Sequence, residues 1–171
     1  MKTIEIKLYK FSELSEEIKE NAVNHLCDIN VDFDWWDYIY DDAKTIGLKI
    51  NEFGLDRYRH ATGNFLFSAC EVAQNIFNNH GEFCKTYKTA KLFIKDWQSV
   101  FNEYMDETNE KYESTESENE LMELEDNFLN SLLEDYSIIL QNEYEYRTSN
   151  EAIIETIEAN EYYFTKEGKL Y

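Results

Sequence analysis

The sequence predicts an α+β fold: a small antiparallel sheet packed with several helices, together with a long acidic antiparallel helical hairpin. Apolar residues recur at three- and four-residue steps over most of the chain, the period of a helix with one buried face. Short stretches near the N-terminus and in the first half follow strand patterns instead. Proline, the strongest helix breaker, is absent. A chain of 171 residues, 43% hydrophobic and 16% aromatic, can bury a core of its own, which fits a single domain over 1–171 with 83–146 as a helical hairpin excursion.

The first element expected is a strand at Thr3–Tyr9, where Ile4, Ile6 and Leu8 alternate with Glu5 and Lys7. Ser12 or Ser15 then opens a helix with Ile18, Ala22, Val23 and Leu26 on its inner face. Asp32–Ile46 forms the aromatic anchor: Trp35, Trp36, Ile39, Tyr40, Ala43 and Ile46 share a helical face, Asp32 or Asp34 caps the start, and Gly47 stops the end. Leu48–Leu55 and Asn64–Ser68 read as strands that join the first in one sheet. Ser68 and Glu71 have capping-box spacing and start a helix that runs to Gly81. The two arms of the hairpin follow. Phe83–Tyr104 carries a stripe from Tyr87 through Phe93 and Trp97, and Glu118–Tyr146 carries a stripe from Leu121 through Phe128, Tyr136 and Ile139. A helix capped near Thr148–Glu151 and a strand at Tyr162–Thr165, turning at Lys166–Gly168, close the chain.

Charge sets limits on function. The chain has 36 acidic and 16 basic residues, net −20, and residues 103–171 hold 20 of the acids and only 4 of the bases. Direct binding to nucleic-acid phosphates needs clustered cations and is not expected, whereas a basic protein partner is. Three cysteines, Cys27, Cys70 and Cys84, lack a framework spacing and fit reduced thiols in a cytoplasm. The N-terminus has no apolar signal core, and no run reaches membrane-spanning length.

No catalytic motif appears, so no catalytic residue, cofactor or metal is expected, and the protein is not expected to be an enzyme. The aspartates between Asp28 and Asp42 do not follow a calcium-loop spacing, and Cys70, His80 and Cys84 fall short of a four-ligand zinc set. The candidate partner-binding surface is the stretch Glu103–Asp126, with 11 acids and one base, Lys111. It contains Glu103, Asp106, Glu107, Glu110 and Glu113, followed by Glu116, Glu118, Glu120 and Glu123; Asp34, Asp37 and Asp41 form a second acidic patch. Carboxylates along a helical rod present the kind of charge that a phosphate-binding groove is built to hold. Arg57, Tyr58, Arg59 and His60 form the compact basic cluster, which with Lys85, Lys88, Lys91 and Lys95 would suit a phosphate-bearing nucleotide.

A strand followed by FSELSEEIKENA, WWDYIYDDAKTIGLKI, SACEVAQNIFNNHGEFCKTYKTA and EAIIETIEANEYYFTKEGKLY resembles a family of small acidic phage and prophage proteins, some labelled antitoxin-like. The resemblance spans most of the chain and is thinnest at the acidic hairpin. It implies a mobile-element setting and an anti-defence role in the host cytoplasm. The expected function is therefore an anti-CRISPR type inhibitor that docks on the basic nucleic-acid channel of an RNA-guided nuclease effector of the Cas9 or Cas13 class. A sponge for a nucleotide immune signal and an antitoxin for a basic toxin are the alternatives.

Overall fold

A computed structural model describes residues 5–108 and 116–171, with side chains over 5–102 and 118–171. In chain order its elements are β1 (Tyr9–Lys10), α1 (Glu16–His25), α2 (Asp37–Thr45), β2 (Leu48–Gly54), β3 (His60–Phe65), α3 (Ala69–Asn79), α4 (Lys85–Thr108), α5 (Glu116–Arg147), α6 (Asn150–Ala159) and β4 (Tyr163–Phe164). The fold is α+β, as the sequence predicts. Contacts divide the chain into two compact units. One comes from its ends, Met1–Trp35 with Asn142–Tyr171, and one from its middle, Trp36–Gln141, so the boundary falls inside α5.

In the terminal unit, β1 pairs antiparallel with β4, Tyr9 opposite Phe164 and Lys10 opposite Tyr163. The single three-stranded sheet expected from sequence is not formed: the described strands make two separate two-stranded sheets, β1–β4 and β2–β3. The reason is visible at Phe11, whose ring lies 6.0 Å from that of the fully buried Phe164, so the N-terminal strand finds its apolar partner at the other end of the chain. The strand is also shorter than expected. Thr3 and Ile4 lie outside the described residues, Glu5–Leu8 joins no ladder, and pairing starts at Tyr9. The core here comprises Phe11, Leu14, Ala22, Val23, Ile153, Ile157 and Phe164. Gly168 closes the last turn at φ +80, where a Cβ would lie 2.8 Å from the carbonyl oxygen of Ile18, so glycine is needed there.

The middle unit packs α2, α3, α4 and the first part of α5 with the β2–β3 hairpin. Helix α2 starts at Asp37, later than expected, and neither Asp32 nor Asp34 caps it; Trp36 occupies the N-cap position without a side-chain cap. The two neighbouring indoles take different packing partners, Tyr144 for Trp35 at 5.8 Å and Phe53 for Trp36 at 5.4 Å. Both residues precede α2, so the expected helical face does not run through them. Ile39, Ala43 and Ile46 are buried as expected. Gly47, at φ +90, ends the segment and admits the Phe67 ring.

Strands β2 and β3 pair from Leu48 opposite Phe65 to Gly54 opposite His60, with an irregularity between Ile50 and Glu52. The second strand therefore lies earlier than the expected Asn64–Ser68, because Ser68 is committed to α3: its side chain and that of Glu71 form the anticipated capping box. Helix α3 ends at Asn79, short of Gly81, and His80 is already extended. Helices α4 and α5 run antiparallel, since Lys85 and Thr89 meet Asp135 while Phe93 stacks on Phe128 with ring centroids 4.2 Å apart. On α5 the buried face runs through Leu132, Leu133, Tyr136 and Leu140, and Ile139, expected on that stripe, is 39% exposed.

Candidate functional site

Acidic side chains occupy much of the described surface of α5. Glu120, Glu123 and Asp126 are exposed and Glu118 is half-buried. Glu103, Asp106, Glu107 and Glu116 belong to the facing ends of α4 and α5, whereas Glu110 and Glu113 lie outside the described residues. At 100° per residue, Glu120, Glu123, Asn127, Asn130 and Glu134 fall on one arc of α5 opposite its apolar face, and all five are exposed. Asp34, Asp37 and Asp41 are also exposed, but Asp34 belongs to the terminal unit and the other two to the middle unit.

The basic cluster does not act as a set. Arg59 turns onto α5, where its guanidinium donates to Ser137 Oγ at 3.0 Å, to Gln141 Oε1 at 2.9 Å and to the Glu134 carboxylate. Each of its three guanidinium nitrogens thus gives one N–H to an acceptor on α5, which ties the hairpin to the helix. Arg57, Tyr58 and His60 remain exposed, and His60 Nδ1 lies 3.0 Å from the Tyr58 carbonyl. Lys85 pairs with the buried Asp135 at 3.0 Å, while Lys88, Lys91 and Lys95 face outward on α4.

Two polar constellations escaped the sequence reading. In one, the buried Tyr136 hydroxyl donates to Asp42 Oδ2 at 2.7 Å, His80 Nε2 lies 3.5 Å from Asp42 Oδ1, and His80 Nδ1 is 2.7 Å from Thr86 Oγ1. With a proton on Nε2 the imidazole faces Asp42 as a donor, while Nδ1 and the Thr86 hydroxyl share the other hydrogen bond. The His80 hydrogen bond, aided by Tyr136, holds the Asp42 carboxyl below its ordinary range despite partial burial. Burial first, and Asp42 second, push the Tyr136 phenol far up, so it stays a donor. In the other constellation, Asp135 is 3% exposed and accepts from Thr89 Oγ1 at 2.7 Å while facing Lys85.

The second had a signal in the sequence, an interruption: Asp135 falls within an apolar stripe, opposite the small Thr89 of α4. Hydroxyl, imidazole and carboxylate in a row have the composition of a nucleophilic relay. Here, however, Thr86 is only 3% exposed and its hydroxyl is spent on His80, so the row joins α2, α4 and α5 to the end of α3 and offers little to a substrate. Cys70 is likewise unsuited to attack, since burial, with Glu125 nearby, raises its thiol. Among the described residues no group of three or more His, Cys, Asp or Glu side chains is placed to hold a metal ion, and no helix is long and apolar enough to cross a membrane.

Between α4 and α5 runs a shallow groove. One part, about 210 Å³, has Leu92, Phe93, Leu124 and Phe128 in its lining; the other, about 510 Å³, has Lys85, Asn130, Glu134 and Asp135. Thr89, Asn127 and Ser131 line both parts. Comparison of the chain with protein-family models, with curated proteins and with solved structures finds no match.

Proposed function

We propose that this protein is a non-enzymatic, phage-encoded inhibitor of host defence of the anti-CRISPR type, acting in the host cytoplasm by docking on the basic nucleic-acid channel of an RNA-guided nuclease. One observation carries the reading: 11 acids and a single base between Glu103 and Asp126, on the facing ends of two antiparallel helices and the segment that joins them. Such effectors hold guide RNA in strongly positive channels. A carboxylate-lined rod entering one would release the same counterions that a nucleic acid does. The exposed positions of Glu120 and Glu123 on the arc opposite the α5 core support this, since docking there needs no rearrangement of the packed face. Occupation of the Arg59 guanidinium by three internal acceptors weighs against a nucleotide sponge built on that residue.

The test is guide-RNA loading and target cleavage by purified RNA-guided nucleases in the presence of the protein, over a salt series. Inhibition is expected to fall steeply with salt, as exposed charges are screened beyond ~8 Å at physiological ionic strength. Charge reversal of Glu107, Glu110, Glu113, Glu116 and Glu120 to Lys is expected to abolish it. Inhibition that survives those five substitutions would sink the role of the hairpin, and no effect on any effector would sink the reading.

A further inference from the structure

The outer flanks of α4 and α5 carry opposite charges, and the groove between them is lined by apolar side chains together with the exposed Asp96 of α4. Leu92 is 63% exposed and stands beside the apolar part of the groove. On the flank of α4 away from α5, Lys88, Lys91 and Lys95 fall within a narrow arc at helical spacing, all exposed. Across the groove, α5 presents Glu120, Glu123, Asn127 and Glu134. A uniformly basic segment laid along this groove would meet the lysines, and a uniformly acidic one would meet the glutamates. The surface that matches both sides at once is the same surface turned over.

We propose that the α4–α5 face binds a second copy of this chain, forming a twofold four-helix interface in which the lysine flank of each α4 lies on the acid and amide flank of the other copy's α5. The antiparallel register fixes which levels meet. Phe93 is level with Phe128, and Lys85 and Thr89 flank the level of Asp135. A twofold axis parallel to the helices then sets Lys88 near Glu134, whose carboxylate it would share with Arg59 of that copy, and Lys95 near Asn127 and Glu123, with Leu92 entering the apolar part of the other groove. The alternative axis, across the helices, stacks lysines on lysines and is rejected by charge. The described face is about 27 Å long and about 20 Å wide, so the dimer buries on the order of 1,000 Å² in total, the low end of specific interfaces. At physiological salt a Debye length of ~8 Å screens the mutual repulsion of the two acidic chains while leaving close pairs effective.

Sedimentation equilibrium of the full chain at physiological salt, from about 1 to 200 µM, tests the proposal, with a concentration-dependent dimer expected within that range. Two double variants, Lys88→Glu/Lys95→Glu and Glu123→Lys/Asn127→Lys, are each expected to weaken self-association about tenfold or more, and their equimolar mixture to restore it. The second variant is the sharper case. It lowers the net negative charge, so general repulsion alone would make it associate more strongly, whereas the interface requires less. All four positions are exposed, and circular dichroism of each variant serves as the check that it is folded. A wild type that stays monomeric throughout, variants that dimerise like the wild type, or a mixture that fails to recover would each overturn the proposal.

Discussion

Asp42 shows how a half-exposed carboxylate can be more constrained than its position suggests. It sits on the outer side of α2 yet receives the Tyr136 hydroxyl and faces His80. Because its folded-state carboxyl titrates below the unfolded value, its contribution to stability is complete above the unfolded pKa of ~3.9 and is lost as pH falls through the depressed folded value. Urea midpoints measured from pH 7 to pH 3 should therefore fall at the acid end, and Asp42→Asn should flatten that limb. A variant as acid-sensitive as the wild type would dismiss the link. Tyr136→Phe removes a buried donor together with the bond it makes, and is expected to cost about 1 kcal/mol at neutral pH.

At the scale of elements, the β2–β3 hairpin illustrates how a polar side chain can decide a packing arrangement. The strand pair alone would be marginal in water. Arg59 bonds Ser137, Gln141 and Glu134, three positions spread over two turns of α5. Arg59→Ala should lower the unfolding free energy by about 2 kcal/mol, and Arg59→Lys should recover little, because an ammonium cannot reproduce the planar fork. Thermal melts of both variants decide this: full recovery by lysine would mean that charge, not geometry, holds the hairpin. The terminal unit has its own polar tie, where Asn30 donates to the Arg147 carbonyl at 3.1 Å and accepts from Thr156 at 2.7 Å, satisfying a carbonyl left open at the end of α5.

For the whole molecule, the net charge of −20 opposes the compact state. With 36 acids against 16 bases, like-charge pairs outnumber opposite ones, so added salt removes more repulsion than attraction. The melting temperature is expected to rise between 20 mM and 500 mM sodium chloride, an interval over which the Debye length shrinks from roughly 20 Å to a few ångströms. A flat or falling melting temperature would show that the exposed acids are already balanced within the fold.

What the sequence determined by itself was local. The capping box at Ser68 and Glu71, the glycine stop at Gly47 and the long stripes of α4 and α5 could be read because capping and helical periodicity act within a few residues. The acid surface was legible for the same reason, since charge sums require no fold. The tertiary structure decided which strand pairs with which, because β1 and β4 lie some 150 residues apart and their pairing rests on the burial of Phe11 against Phe164. It also decided that Trp35 and Trp36 part company, that Arg59 points inward, and that Asp42, His80, Thr86 and Tyr136 meet. Each of these depends on a low-dielectric interior in which an unpaired polar group is costly, and that cost exists only once distant segments have packed.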